Sequence, residues 1–556
     1  MYSTCSHFDV TTIAELLLAR KGDERQGLLD TNHRLTWGEV VERAAIRAGW
    51  LRSMRQDGPP HLGILLPNGN DYLIWLFAAA LARWTVVGIN PTRRGASLAL
   101  DIQSTDCQLL ICDDEGFEML DGLDHGVEAS RVFDEQGSND AALAHGVAEW
   151  GGDAVESDLL LLLFTSGTTG TPKAVRCTQG RLTSIALTAS AGYGYVQEDV
   201  CYCPMPLFHG NALMALVAPA LYVGAAIALP PRFSASGFID DVRHFQATIF
   251  TYVGKAISYI LATPSSDHDL DNTLTRGFGT EASSTDRVAF KRRFGCRLIE
   301  GYGSSEGGMS ISATPDTPRG ALGPALPGLD IAVVDPDSGE EKKRAVFDKG
   351  GALLNGNDAI GELVNRSGVG KFEGYYKDDQ AGNSRSRDGW YWSGDLAYRD
   401  AEGFFFFAGR SGDWLRVDSE NMAATPIENV LARYGPFANV AIYPVPDFDA
   451  GAGDLVMAAV ELRDSSEFDP DSFQTWILDQ DDFGTKWTPS FLRVMEKIDE
   501  TATGKMTKVR LRNEAWQCDD VVWYRPAREN SFHLLDIETS SKLNERLERA
   551  RSEPKT

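Results

Sequence analysis

The stretch LLLLLFTSGTTGTPKAV, residues 159–175, joins a strongly apolar run to a loop of hydroxyl-bearing residues, glycines and one lysine. The apolar run has the length of one buried strand. Glycines in the loop let the backbone approach a ligand and point N–H groups at it, hydroxyls add donors, and Lys173 supplies positive charge. This order of residues predicts a strand followed by a loop that wraps a polyphosphate.

The same residues are compatible with other kinds of loop. Short runs of Ser, Thr and Gly are often plain polar surface loops. The loop also lacks the Gly-Lys-Ser/Thr ending that closes the phosphate loop of P-loop kinases and GTPases, which excludes that class. A polyphosphate loop of a different type and a solvated surface loop therefore both stay open on the local sequence alone.

Composition bounds the class of protein. The chain has 556 residues, of which 43% are hydrophobic and 24% charged, so we expect a globular protein of at least two domains. A formal net charge of −26 argues against a nucleic-acid partner, because phosphate backbones are bound by clustered Lys and Arg. The eight cysteines form no CxxC pair and indicate reduced thiols of an intracellular protein. The first ten residues do not resemble a signal peptide, so we expect a cytoplasmic location.

Strand and helix patterns alternate through the first half of the chain. LGILLP (62–67) and TVVGINP (85–91) read as buried strands, and the apolar segment between them reads as a core helix rather than a membrane span. Residues 36–54 predict a helix with Thr36 as its N-cap. From about residue 350 the pattern changes to short strands with turns, which is typical of antiparallel sheet. We therefore predict an α/β fold with a domain boundary near residue 410.

Further motifs resemble one family. TSGTTGTPK resembles the phosphate loop of the adenylate-forming enzymes, which include acyl-CoA synthetases, luciferases and peptide-synthetase adenylation domains. Four more of its motifs follow in the family's order over residues 35–515: PMPLFHGNAL (204–213), EGYGSSEGG (300–308), YWSGDLAYRDAEGFFFFAGRSGD (391–413) and DETATGKMTKVRLR (499–512). The resemblance implies a large N-terminal domain (1–410) of layered α/β sheets plus a β-subdomain. It also implies a small mobile α+β lid domain (411–556).

The resemblance assigns roles to individual residues. Tyr302 would stack on adenine, Asp395 would accept the ribose hydroxyls, and Gly277 and Gly279 would lie in a turn that approaches the base. Glu306 would bind Mg²⁺, His209 would steer the substrate carboxylate, and Lys505 would reach the carboxylate and the α-phosphate as catalytic cation. The full set implied for ATP and AMP is Thr165, Ser166, Gly167, Thr168, Thr169, Gly170, Lys173, Gly277, Gly279, Tyr302, Gly303, Ser304, Ser305, Asp395 and Arg410.

The implied reaction has two halves. ATP activates a carboxylic acid to acyl-AMP with the help of Mg²⁺, and the acyl group then passes to coenzyme A after the lid turns about a hinge at Gly412 and Asp413. Ser419, Glu420 and Asn421 would form the loop beside the CoA thiol. Ser419 stands where the family usually has glycine, and Gly412 where it has Asp or Lys. These departures keep a second hypothesis open, an acyl-AMP ligase that does not use CoA or loads a carrier protein.

A third hypothesis, an inactive binder of acyl groups or nucleotides, conflicts with the intact motif residues. The segments TYVGKAISYIL (251–261), GINPTRRG (88–95) and GDWLRVDSEN (412–421) are most similar to the fatty-acid-transport, very-long-chain and steroid-side-chain branch. That branch implies an acyl pocket with Phe208, Tyr252 and Gly254 in its wall, where the small Gly254 would leave the pocket open. Peripheral membrane contact and a homodimer stay open.

Overall fold

The protein is described by a computed structural model. The described residues are 10–165, 173–348, 353–410, 414–417, 420–447, 454–463, 466–480, 483, 487–500, 506–526, 529 and 531–552. The chain divides into two units, Met1–Ser310 with Lys371–Ser384, and Ile311–Gly370 with Arg385–Thr556. The boundary predicted at residues 410 and 411 lies within the second unit and stays a prediction.

One sheet of the first unit carries the stretch that opened the sequence. Its five leading strands pair in parallel, and the last two form an antiparallel hairpin. In spatial order they are Val132–Asp134, Cys107–Cys112, His61–Leu65, Thr85–Gly88, Leu159–Thr165 and Lys173–Thr178. The apolar run before the predicted phosphate loop is thus a strand in the interior of the sheet.

A second, larger sheet positions the later motifs. Its neighbouring strands from Arg297–Gly303 through to Gln26–Leu29 pair in parallel, so the carboxyl ends of those strands share one edge. In order the strands are Ser310–Ser312, Arg297–Gly303, Arg276–Thr280, Ile249–Val253, Val200–Tyr202, Ala226–Ala228, Gln26–Leu29 and Arg34–Thr36. The first of these contains the point at which the chain passes to the second unit.

Helices cover the sheets of the first unit. Thr36 caps its helix as predicted, because its hydroxyl oxygen accepts the Glu39 N–H at 3.2 Å. The apolar helix Asn70–Ala82 is buried at every position except Asp71, so it is a core helix as predicted. The helices are Ile13–Leu18, Trp37–Ser53, Asn70–Ala82, Gly95–Ser104, Asp114–Leu120, Ala129–Arg131, Glu135–His145, Gln179–Tyr193, Gly210–Ala212, Leu213–Val217, Ala218–Val223, Phe238–Phe245, Gly254–Ala262 and Ser284–Phe294.

The second unit confirms the predicted change to antiparallel structure. One sheet pairs entirely antiparallel. Its strands are Gly323–Pro324, Phe404–Arg410, Trp390–Arg399, Gly361–Asn365 and Ile331–Val334, with Ser386–Arg387 on Trp390–Arg399. A five-stranded sheet follows, made of Phe437–Pro446, Asp454–Leu462, Phe491–Met495, Val521–Tyr524 and His533–Leu534, and a ribbon pairs Trp414–Val417 with Glu420–Ala423. The helices of this unit are Gly356–Ala359, Ala424–Leu431, Pro470–Leu478, Val509–Glu514 and Ile537–Ser552, while helix Asp379–Arg385 belongs to the first unit up to Ser384.

The described cysteines are unbridged, as the sequence predicted. Six of the seven are buried, and Cys518 is partly exposed. Burial raises the pKa of five of these thiols to about 12: Cys107, Cys112, Cys177, Cys203 and Cys296. Among the described helices, none is long and apolar enough to span a bilayer.

Candidate active site

The hairpin brings together the two residues that flank the predicted phosphate loop. Thr165 and Lys173 are paired across the strands, and the Thr165 hydroxyl donates to the Lys173 carbonyl oxygen at 3.5 Å. The loop residues predicted to bind phosphate lie outside the described residues: Ser166, Gly167, Thr168, Thr169 and Gly170. Their role stays a prediction, with Lys173 at the end of the loop on a defined strand.

The segment after strand Arg297–Gly303 forms a turn that is held by hydrogen bonding to a buried arginine. Arg181 donates to the backbone carbonyl oxygen of Ser305, and through its other terminal nitrogen to that of Arg176 at 2.6 Å. A Cβ added to Gly307 would lie 2.6 Å from the Arg181 guanidinium, and the φ of Gly307 is +69°. The glycine is therefore required by both the turn and the arginine. Arg181 had no recognisable sequence signal.

Glu306, the predicted Mg²⁺ ligand, is buried in this turn. The Tyr375 hydroxyl donates to Glu306 Oε1 at 3.0 Å. Lys173 Nζ lies 5.5 Å from the centroid of the Tyr375 ring. The structure therefore brings together Lys173, the Tyr375 ring and the carboxylate that is predicted to bind Mg²⁺. Sequence analysis missed Tyr375, because a tyrosine in KFEGYYKD carries no local sign of its partners.

Tyr302, Gly303, Ser304 and Ser305 end the strand and begin the turn at the carboxyl edge of the large sheet. Tyr302 and Ser305 are half-buried, while Gly303 and Ser304 are exposed. A hydroxyl and an aromatic ring are thus available at the edge where ligands bind open parallel sheets.

The aromatic–histidine motif lies against the same turn. The rings of Phe208 and His209 are neighbours, with centroids 4.3 Å apart. A Cβ added to the next residue, Gly210, would lie 3.0 Å from Ser305 Oγ and 3.6 Å from a methyl group of Leu163. Three of the motifs that sequence analysis singled out, including the strand that leads into the phosphate loop, therefore meet at one place.

The positions of Gly277 and Gly279 differ from the prediction. Both were expected in a turn, but they lie in strand Arg276–Thr280, and the turn follows at Glu281, whose φ is 71°. A Cβ on Gly277 would lie 2.5 Å from the Phe250 ring, and one on Gly279 would lie 2.3 Å from the Tyr252 carbonyl oxygen and 2.5 Å from the Tyr252 ring. Close contact with the neighbouring strand explains both glycines. Contact with adenine at this edge stays a prediction.

Tyr252 and Gly254 have structural partners of their own. The Tyr252 side chain has no exposed surface, and its hydroxyl donates to Glu300 Oε1 at 2.7 Å. A Cβ on Gly254 would overlap the carbonyl oxygen of Glu281 and lie 2.8 Å from the amide nitrogen of Ala282. A close backbone approach therefore explains Gly254 without an open pocket. The acyl-pocket role of both residues stays a prediction.

The half-buried Glu300 carboxyl predicts that the stability of the fold decreases as pH rises. Burial raises its pKa to about 7, against smaller opposing effects of the Tyr252 hydroxyl and the Arg287 charge. Between the usual glutamate pKa and about 7 the folded state binds more protons than the unfolded state, so stability decreases as pH rises through that window. Glu300→Gln should flatten this decrease by about 1–3 kcal/mol between pH 5 and pH 8. Urea unfolding at the two pH values measures it.

The matched control is Glu118→Gln, which changes an exposed glutamate on helix Asp114–Leu120. Its stability should follow that of the parent chain at both pH values. An equal slope for the parent chain and Glu300→Gln would contradict the prediction.

In the second unit, Asp395 and Arg410 are register partners on adjacent antiparallel strands. Gly394, with φ 70°, donates its N–H to the buried carboxylate of Glu362 at 2.8 Å, and the Asp395 N–H donates to Ser393 Oγ at 3.0 Å. The backbones of the two residues predicted to bind ribose and phosphate are thus neighbours across the strands, and their binding roles stay predictions.

The predicted residues of the lid are described only in part. Glu420 and Asn421 begin strand Glu420–Ala423. Lys505, Gly412, Asp413 and Ser419 lie outside the described residues, so the catalytic, hinge and CoA-loop roles stay predictions.

The donor set around Glu306 fits magnesium held together with a nucleotide. In the part of the chain that the structure describes, no cluster of three or more His, Cys, Asp or Glu residues could hold a metal by itself. Mg²⁺ is commonly bound by one or two carboxylates plus substrate phosphates and water. A single buried carboxylate beside the phosphate-loop hairpin matches that arrangement.

Comparison with known proteins identifies the family. A family model described as AMP-binding enzyme matches residues 18–376. The chain belongs to the AMP-binding enzymes. This AMP-binding enzyme is 52% identical over 520 residues to steroid-22-oyl-CoA synthetase of Rhodococcus jostii, which covers 92% of this chain and 93% of that protein. It is 42% identical over 515 residues to the medium/long-chain-fatty-acid–CoA ligase FadD17 of Mycobacterium tuberculosis, over 92% of this chain and 98% of the relative.

Solved structures share the fold. ATP-bound MatB from Rhodopseudomonas palustris has a TM-score of 0.76 at 21% identity and covers 90% of this chain and 98% of that one. Anthranilate CoA ligase AuaEII in complex with anthranoyl-AMP has a TM-score of 0.77 at 19% identity, over 91% and 97%. The predicted layered α/β fold and the predicted class, an AMP-forming acid–thiol ligase, are confirmed for this AMP-binding enzyme. ATP and CoA are the co-substrates that the family implies.

Proposed function

We propose that this AMP-binding enzyme converts a carboxylic acid borne on a steroid side chain to its CoA thioester through an acyl-AMP intermediate. Medium- to very-long-chain fatty acids are the next candidates. The observation that carries the proposal is the 52% identity with steroid-22-oyl-CoA synthetase over 92% of this chain. The site supports the chemistry, because it joins the phosphate-loop lysine to the turn of Glu306.

In the first half-reaction, an oxygen of the substrate carboxylate attacks the α-phosphorus of ATP in line. The bond from the α-phosphorus to the bridging oxygen breaks, and pyrophosphate leaves. The protein contributes mainly position and charge. Lys173 and Lys505 neutralise phosphate oxygens, His209 orients the carboxylate, and Mg²⁺ bound by Glu306 and the phosphates would add neutralising charge.

Other residues bind the adenine and ribose of the nucleotide. Tyr302 stacks on adenine, and the Asp395 carboxylate accepts hydrogen bonds from the ribose hydroxyls with Arg410 beside it. Gly277, Gly279, Gly303, Ser304 and Ser305 line the path of the base and α-phosphate in this proposal.

In the second half-reaction the CoA thiol attacks the carbonyl carbon of acyl-AMP, loses its proton and displaces AMP. A lid of residues 411–556 that turns at Gly412 and Asp413 would bring the loop Ser419–Asn421 to the thiol. Phe208, Tyr252 and Gly254 are the proposed acyl-side residues. We also propose that the enzyme is cytoplasmic, since ATP and CoA are intracellular. We propose in addition that it forms a homodimer and that it takes up long apolar acids from a membrane surface.

The experiment is acid-dependent AMP formation with and without CoA, measured for a steroid C22 acid, cholate, palmitate and octanoate. We expect the steroid acid to form acyl-CoA with a kcat/KM at least about ten-fold above that of palmitate. A ring system and a straight chain differ in their pocket contacts by several methylene groups, and even one methylene is typically worth about ten-fold or more in kcat/KM. Lys505→Ala gives the background rate. A preference for palmitate would overturn the steroid assignment, and an adenylate that forms but ignores CoA would favour the CoA-independent ligase.

A further inference from the structure

A segment distant in sequence runs alongside the phosphate-loop hairpin. Residues 371–377 belong to the first unit although they follow its main part by sixty residues. The Tyr376 N–H donates to the Ala174 carbonyl oxygen at 2.8 Å, and the Arg176 N–H donates to that of Gly374 at 3.1 Å. Tyr375 forms a bridge with Val175. The segment is therefore an added strand-like edge on Lys173–Thr178, which we call the 371–377 segment.

The same segment is tied to the turn that contains Glu306. The Lys371 N–H donates to the Gly307 carbonyl oxygen at 3.1 Å. The Glu373 carboxylate accepts from both the N–H and the hydroxyl of Thr178, at 2.8 and 2.7 Å, at the start of helix Gln179–Tyr193. These contacts fix the segment before Tyr375, and the Tyr376 N–H bond to Ala174 fixes it after Tyr375, so Tyr375 has a defined position.

Tyr375 makes two contacts with functional groups from that position. Its hydroxyl donates to Oε1 of the Glu306 carboxylate at 3.0 Å, so this bond engages one of the two carboxylate oxygens. Its ring lies 5.5 Å from Lys173 Nζ, within the distance at which a ring face attracts an ammonium group. The ring also packs with Val175 and Ala381 in a small apolar cluster. Packing alone accounts for the ring but not for a hydroxyl directed at a buried carboxylate.

We propose that Tyr375 is a positioning residue for adenylation, whose hydroxyl orients the Glu306 carboxylate towards Mg²⁺ and whose ring holds the Lys173 ammonium group beside it. The proposal rests on the proposed function, because it concerns the same ATP site. Hydrogen bonds from outer groups commonly orient metal-ligating carboxylates in this way.

The first test is Tyr375→Phe, which keeps the ring and removes the hydroxyl. We expect the Mg²⁺ concentration that gives half-maximal ATP–pyrophosphate exchange to rise about ten-fold, since loss of an outer-shell partner typically costs 10–100-fold in metal affinity. The maximal rate at saturating Mg²⁺ should stay within about two-fold of the parent enzyme. Binding of Mn²⁺ in the presence of ATP, followed by electron paramagnetic resonance, should weaken by a similar factor without turnover.

The second test is Tyr375→Leu, which removes both contacts. It should show the same metal defect and, in addition, a KM for ATP that is raised about two- to five-fold, because Lys173 loses the ring beneath it. If Tyr375 had only a structural role, Tyr375→Phe would not change the Mg²⁺ dependence alone, and Tyr375→Leu would not add a change in the KM for ATP. The melting temperature of each variant without ligand is measured alongside.

The neighbouring Tyr376 supplies a matched control. Its hydroxyl also donates to a carboxylate, that of Asp106, at 2.6 Å, but Asp106 is not part of the site. Tyr376→Phe should leave the Mg²⁺ dependence unchanged. Identical Mg²⁺ curves for Tyr375→Phe, Tyr376→Phe and the parent enzyme would overturn the proposal. Failure of the proposed function would look different, because the parent enzyme itself would then show no acid-dependent exchange.

Discussion

Glu306→Gln should lower acid-dependent ATP–pyrophosphate exchange at least about a hundred-fold, which is the range for loss of one preorganised charge-stabilising group. Glutamine has the shape of glutamate, and its carbonyl oxygen can still accept the Tyr375 hydroxyl that lies 3.0 Å from Glu306 Oε1. The fold should therefore be kept while the negative charge facing Mg²⁺ is lost. Exchange is measured at saturating ATP and acid over a range of Mg²⁺ concentrations.

A control variant and a measurement of stability accompany the Glu306→Gln experiment. Glu118→Gln, at an exposed position, should exchange at the parent rate. The melting temperature of Glu306→Gln without nucleotide should equal or exceed that of the parent chain, because a buried charge has been removed. Exchange by Glu306→Gln within five-fold of the parent at all Mg²⁺ concentrations would show that this carboxylate is not the metal ligand.

Gly254→Ala should destabilise the enzyme by about 3 kcal/mol or more, at or above the upper end of the usual cost of overpacking. The added methyl group would overlap the Glu281 carbonyl oxygen and lie 2.8 Å from the Ala282 amide nitrogen, and both of these are backbone atoms. Backbone cannot move aside as a flexible side chain does, so the end of strand Arg276–Thr280 must shift. Urea unfolding of the purified variant gives the change in the free energy of unfolding.

Gly192→Ala is the matched control for this substitution. It lies in helix Gln179–Tyr193, where an added Cβ would meet nothing within 4 Å. Alanine there should stabilise by about 0.5–1 kcal/mol. If Gly254→Ala instead unfolds like the parent chain and favours shorter acids, the acyl-pocket interpretation from the sequence is right and the packing explanation is wrong.

The sequence predicted best where one short segment contains both the structural and the chemical information. The apolar strand Leu159–Thr165, the Thr36 cap and the strand that precedes Glu306 each depend on neighbours in the chain. Tyr375 could not be found this way, because its partner Glu306 lies 69 residues earlier. Only the completed sheet, with the 371–377 segment added to its edge, brings the two together.

The glycines show a second limit of local patterns. A glycine in the sequence indicates that space is short or that the backbone turns, and the residue alone does not distinguish the two. Gly277 and Gly279 were expected in a turn, but they lie in a strand and make room for the Phe250 ring and for the carbonyl oxygen and ring of Tyr252 on the neighbouring strand. Gly254 was expected to leave a pocket open, which stays a prediction, and its missing side chain also admits a backbone carbonyl.

The buried cysteines have a practical consequence. Burial holds the pKa of the thiols of Cys107, Cys112, Cys177, Cys203 and Cys296 near 12, so few of them are thiolates at neutral pH, and the thiolate is the form that reacts. A disulfide dye added to a reaction mixture should therefore titrate the free thiol of coenzyme A well ahead of these side chains. Consumption of coenzyme A during the reaction can therefore be followed continuously by colour.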